Sequence, residues 1–161
     1  MPSKKQERMM WMRRYKEETG HSSIDMKELA KYMMGKGWPM PEPKKPLDRL
    51  AEQLADDARE EMRRDAKTGR PYRANLAVTV RQGRGQQMTL WTDIDEAPRH
   101  IAQKAFVQRR EQMIGDGLQL TFDVTHWNSI NQEDVPIEMP MDFTDDIQWR
   151  LNSPDEGEEA A

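Results

Sequence analysis

After Thr68-Gly69-Arg70-Pro71 the apolar residues stop recurring at helical spacing and begin to alternate. Tyr72, Ala74, Leu76, Val78 and Val80 interleave with Arg73, Asn75, Ala77, Thr79 and Arg81, the period of a strand with one apolar face. Gln82-Gly83-Arg84-Gly85 then turns the chain into Met88, Leu90, Thr92 and Ile94, so the segment predicts a β-hairpin with an arginine at its tip. Helical periods lie on both sides of this segment, and such a chain must be mixed α and β.

Upstream, residues 4 to 18 predict a helix stopped by Thr19-Gly20, with Met9, Met12 and Tyr15 spaced by threes. Ser22 and Asp25 have the spacing of a capping box, and Met26, Leu29, Ala30, Met33 and Met34 follow helical spacing up to Gly35 and Gly37. Pro39, Pro41, Pro43 and Pro46 bar a helix between them and predict an extended connector. Pro46 opens the next helix, whose stripe of Leu47, Leu50, Ala51, Leu54, Ala55, Ala58 and Met62 runs to about residue 66 and carries Glu60 and Arg64 as an i,i+4 pair.

Downstream, Pro98 to Ile114 predicts a helix ended by Gly115 and Gly117, with Ile101, Ala102, Ala105, Phe106 and Met113 on one arc. Leu118, Leu120, Phe122 and Val124 then alternate as a third strand, and Ile137, Met139 and Met141, broken by Pro136 and Pro140, form at best an edge strand. Phe143, Ile147 and Leu151 recur every fourth residue and predict a short docking helix.

The expected fold is therefore α+β: an N-terminal helix-turn-helix pair (1–38), a proline-rich linker (39–46) and an α-β-β-α-β core with a small antiparallel sheet (47–130). An acidic segment with a docking helix (131–151) and a disordered acidic tail (152–161) follow.

Composition narrows the chemistry. The 161 residues contain no cysteine, which removes disulfide frameworks, thiolate nucleophiles and Cys-based metal sites. Hydrophobic residues make up 35%, below the roughly 45–50% of an average domain, so part of the chain is solvated or depends on a partner. No apolar run approaches the roughly 18 residues of a membrane span, and a cytoplasmic, bacterial-type setting is expected.

The net charge of −4 conceals a division along the chain. Residues 1 to 119 carry a charge of +6 and residues 120 to 161 a charge of −10. A basic body with an acidic end points to two classes of partner.

The first expectation is a non-enzymatic protein that binds nucleic acid, with the helical pair and the hairpin arranged like a winged helix-turn-helix. Arg13, Arg14, Lys16, Arg81 and Arg84 would meet phosphates, with Arg73 and Arg110 contributing. The alternative is a protein–protein adaptor or subunit that uses the Met-rich helices, Trp11, Trp38, Phe143 and Trp149 as its interface.

A more distant reading is a metal-dependent nuclease. Asp93, Asp95 and Glu96 end the second strand and Asp123 ends the expected third, so neighbouring strands would gather acids around a divalent cation. Asp95 has a simpler role as the cap of the helix that Pro98 opens. His126-Trp127-Asn128 shares a fragment with His/Asn nuclease motifs, but the second histidine is missing, and His126 is expected in a loop or at a strand end. No P-loop, H-E-x-x-H or G-x-S-x-G pattern occurs, and no catalytic residue, metal or cofactor is assigned. Arg109 interrupts the apolar arc of its helix and is expected to pair with Asp93 or Asp123.

Overall fold

The computed structural model describes residues 1–153. The part of the expected acidic tail at residues 154–161 lies outside the described residues. The fold is α+β, with five helices and two small antiparallel sheets among the described residues. It divides into two units, Met1–Glu52 and Gln53–Ala161.

The first unit is built on α1 (Lys4–Thr19) and α2 (Met26–Gly35). Ser3 and Gln6 form a reciprocal capping box at the start of α1, and Gly20, at φ 70°, supplies the left-handed residue that ends it. The cap of α2 is Asp25 itself, whose carboxylate accepts from the amides of Lys27 (2.7 Å) and Glu28 (3.1 Å). The expected Ser22–Asp25 box is therefore replaced by a single aspartate.

Leu29 and Met33 are the buried residues of this unit. Around them stand aromatic rings packed edge to face: Trp11 to Tyr32 at 6.1 Å, Trp11 to Trp38 at 6.5 Å and Tyr15 to Tyr32 at 5.1 Å. The Tyr32 hydroxyl donates to Glu18 at 2.6 Å, and this bond, reinforced by Arg14, holds the Glu18 carboxyl below its ordinary range. The linker continues into α3 (Pro46–Glu60).

The expected run of α3 to residue 66 stops early. Met62–Arg64 is a strand, β1, paired with β2 (Pro71–Arg73), so Glu60 and Arg64 are not helical neighbours. Arg64 donates instead to the Gly69 carbonyl at 3.1 Å. The turn between the strands closes on Asp65, whose carboxylate accepts from the amides of Lys67 and Thr68, while Gly69 takes φ 69°.

The hairpin of β3 (Asn75–Gln82) and β4 (Gln86–Asp93) forms as its alternation requires, with Gly83 and Gly85 both at positive φ in the turn. Ala74, fully buried, joins the two sheets: its amide donates to Glu61 and its carbonyl accepts from Ile94.

The largest departure from expectation is α4, one helix from Arg99 to Ile130. Gly115 and Gly117 do not end it, because neither takes the left-handed conformation of a terminating glycine. The third strand expected at Leu118–Val124 is the continuation of this helix, and His126 belongs to it as well. An interior glycine costs a helix about 1 kcal/mol, less than thirty-two residues of backbone pairing return. Residues 137 to 141 form no strand, whereas the expected C-terminal helix is present as α5 (Thr144–Asn152).

Two carboxamides on α4 position what packs against it. Gln108 accepts from the Thr79 amide (2.8 Å) and donates to the Thr79 carbonyl (2.9 Å), so its side chain stands in for a neighbouring strand at the free edge of β3. Asn128 does the same to Ile137, accepting at 2.9 Å and donating at 3.0 Å, and holds the returning segment along the helix. Leu76, Val78 and Ala105 form the core of the second unit, flanked by Val80, Ile94, Ala97, Ile101 and Ala102.

Gln108→Ala, which removes both bonds to β3, is expected to destabilise the second unit by about 1–3 kcal/mol. Hydrogen exchange at the Thr79 amide should accelerate in parallel, and unchanged exchange there would show that the clamp carries no load.

Candidate functional site

The odd-numbered residues of β3 face away from Leu76, Val78 and Val80. Ala77 pairs with Trp91 and Thr79 with Thr89, and these four residues line a groove of about 830 Å³. Arg59, Met62, Tyr72 and Arg73 line it from α3 and the first sheet. Phe106, Arg109, Gln112, Met113 and Asp116 line it from α4. The Arg59 guanidinium lies 5.7 Å from the Trp91 ring centroid and also pairs with Asp56 at 2.6 Å.

Arg109 does not pair with Asp93 or Asp123. Asp93 is taken by Arg63, and Asp123 accepts from Gln119 on its own helix at 2.8 Å. Among the described residues Arg109 and Arg73 make no hydrogen bond or ion pair, and both face the groove. The desolvation cost of an unpaired arginine is kept small because both side chains are exposed.

The acids expected to gather a cation gather a guanidinium instead. Arg63 donates to both oxygens of Asp93 at 2.8 Å and to Asp95 at 2.8 Å. The Asp95 amide returns a bond to Asp93 at 2.9 Å, and the Tyr72 hydroxyl donates to Asp95 at 3.1 Å. Burial first, and the bond to Asp95 second, push the Tyr72 hydroxyl up from its usual range. Asp95 therefore does not cap α4, whose N-cap position is Pro98 and carries no side-chain cap bond. Asp123 lies on α4 and not on an adjacent strand, and no group of three or more metal-ligating side chains occurs among the described residues. The structure therefore does not bring Asp93, Asp95 and Asp123 together as neighbouring strands would have done.

The remaining expected residues are dispersed. Arg13 and Lys16 are exposed on α1, while Arg14 is bound to Glu18 at 3.0 Å and lies over the Trp11 ring. Trp11 and Trp38 are half-buried in the aromatic cluster. Arg81 lies on the same face of the hairpin as Thr79, and Arg84 occupies the turn. Phe143 precedes α5 and Trp149 projects from it, both exposed, and Arg70 donates to the Leu151 carbonyl at 3.0 Å.

Sequence reasoning missed a feature of α4. Phe106, Met113, Leu120 and Trp127 recur every seven residues, which brings them to one side of the helix, and each is exposed. Their spacing was visible in the sequence once Gly115 and Gly117 are read as helical. Comparison with protein-family models, with curated proteins and with solved structures finds no match for this chain. No helix among the described residues is long and apolar enough to cross a membrane.

Arg63 holds the Asp93 carboxyl below the ordinary carboxylate range, with the Asp95 amide as a second cause. A depressed folded value means that the contact stabilises the fold above that range and is lost as pH falls through the depressed value. Arg63→Ala should lower the melting temperature at neutral pH. The gap between variant and parent should narrow as the pH drops below about 4, where the unfolded carboxyl is itself protonated. A gap that persists unchanged to strongly acidic pH would assign the loss to packing instead of charge.

Proposed function

We propose that this chain is a non-enzymatic subunit or adaptor that acts by joining another polypeptide, which covers the apolar surface of α4. The observation that carries this reading is how little the chain buries by itself. Among the described residues six hydrophobic side chains are buried: Leu29, Met33, Ala74, Leu76, Val78 and Ala105. The chain exposes 14615 Å². Separate compact units of 52 and 109 residues would together expose about 9,900 Å² by the usual scaling of surface with mass. Residues 154–161, even counted as a fully unfolded chain, would add about 1,200 Å². About 3,500 Å² then remains beyond what compact folding leaves, and Phe106, Met113, Leu118, Leu120, Phe122 and Ile130 of α4 are among the exposed large hydrophobic side chains.

A dye that fluoresces on exposed apolar surface, such as ANS, tests this reading. The isolated chain is expected to bind the dye strongly as long as it is monomeric, and to lose it as an assembly forms. A monomer that binds no dye would overturn the subunit reading.

A second reading, contact with nucleic acid, is supported by the hairpin. Arg81 and Arg84 stand exposed at and near its free end and make no ion pair among the described residues, and Arg81 shares a face with the groove that Arg73 lines. Phosphates bound there would release counterions, so affinity should fall steeply with salt. Arg81→Ala combined with Arg84→Ala should reduce the slope of log affinity against log salt by about 2. Absence of binding to any single- or double-stranded probe at low salt would discard this reading.

A further inference from the structure

We infer that the polypeptide covering α4 is a second copy of this chain, packed antiparallel along Phe106, Met113, Leu120 and Trp127. The inference rests on the subunit reading and names its partner.

A strict seven-residue apolar repeat keeps its side chains in register with another helix that coils around it, whereas a helix lying on a sheet needs no such period. The four residues span about 32 Å of α4 at 1.5 Å per residue. Their relative exposures are 52, 52, 42 and 39%. The returning segment reaches this side of α4 at Gly117, between Met113 and Leu120, where Met141 packs, and it leaves all four side chains of the stripe exposed. An obligate dimer removes about 1,000–2,500 Å² from each chain. The surplus derived above accommodates that area.

Charge selects the direction. Arg109, Asp116 and Asp123 recur on the same flank of the stripe, again seven residues apart. With the two-fold axis midway along the stripe, Phe106 meets Trp127 of the other copy and Met113 meets its Leu120. In antiparallel helices equivalent flanks face each other, which brings Arg109 to within one residue of the level of the other copy's Asp123. A parallel pair would instead bring Arg109 beside the second copy's Arg110, on the opposite flank. Asp116 meets its own copy at the axis, the one unfavourable meeting in this register. Arg109 makes no ion pair within its own chain among the described residues, so it is available for this contact.

Sedimentation equilibrium of the full chain, with ANS fluorescence on the same samples, tests the inference. The parent is expected to be dimeric, and Leu120→Lys monomeric and dye-binding with an unchanged circular dichroism spectrum, since Leu120 is exposed in the single chain. Arg109→Asp should weaken the dimer by about tenfold, and adding Asp123→Arg should restore it. The absence of native cysteine allows a direct check of direction. Mixed Met113→Cys and Leu120→Cys chains should oxidise to the 113–120 heterodimer, and a predominance of 113–113 disulfide would overturn the antiparallel arrangement. A parent that stays monomeric at every concentration overturns the inference. If that monomer binds the dye, the subunit reading survives with a different partner; if it does not, both fail.

Discussion

The helix is longer than the sheet it packs on, and most of what is unusual in this protein follows from that mismatch. An eight-residue strand extends about 27 Å, whereas the thirty-two residues of α4 extend about 48 Å. A two-stranded sheet also has room for a single row of apolar side chains per strand on each face. Leu76, Val78 and Val80 of β3 meet Ile101, Ala102 and Ala105 of α4, and there the shared core ends. The C-terminal part of α4 carries Leu118, Leu120, Phe122, Trp127 and Ile130 past the reach of the sheet.

Carboxamides compensate for the thin core. A side-chain amide has the donor and acceptor of a peptide group without the chain attached, so Gln108 can finish the edge of β3 where a third strand would otherwise stand. Asn128 repeats the device on Ile137, whose neighbours Pro136 and Pro140 have no amide hydrogen with which to extend a ladder. Both contacts also set direction and register, because each two-point bond admits one alignment of the segment. The same economy governs the Arg63 cluster: one guanidinium connects β1 to the end of β4 and to the loop beyond it.

Local features were legible where local chemistry decides them. Gly20 ends α1, Gly83 and Gly85 turn the hairpin, and the apolar spacing of Met26 to Met34 marks α2, all of which follow from backbone preference and period. Leu118, Leu120, Phe122 and Val124 misled because alternation indicates a strand only when one face is buried and the other wet. On α4 Leu118 and Phe122 share one side and Leu120 and Val124 the opposite one, so the pattern records a helix with apolar residues on two sides. The aspartates at 93 and 95 looked like a site because their partner, Arg63, lies thirty or more residues away and follows no spacing rule. Gln108 was invisible for a related reason, since no sequence period distinguishes a carboxamide that meets a strand edge from one that meets water.

The distribution of charge on α4 bears on which alignments a second helix could take along the proposed stripe. Stripes of leucine alone associate in any direction and at any offset, because apolar contact has no sign. Arg109, Asp116 and Asp123 line one flank of the Phe106–Trp127 stripe at regular intervals, so a shifted offset in the proposed pairing would bring charge against apolar surface or against its like. Such placement lowers the strength of the best pairing and lowers that of its competitors by more. The low hydrophobic content of the chain, which first argued for a small core, would then also make the proposed pairing selective.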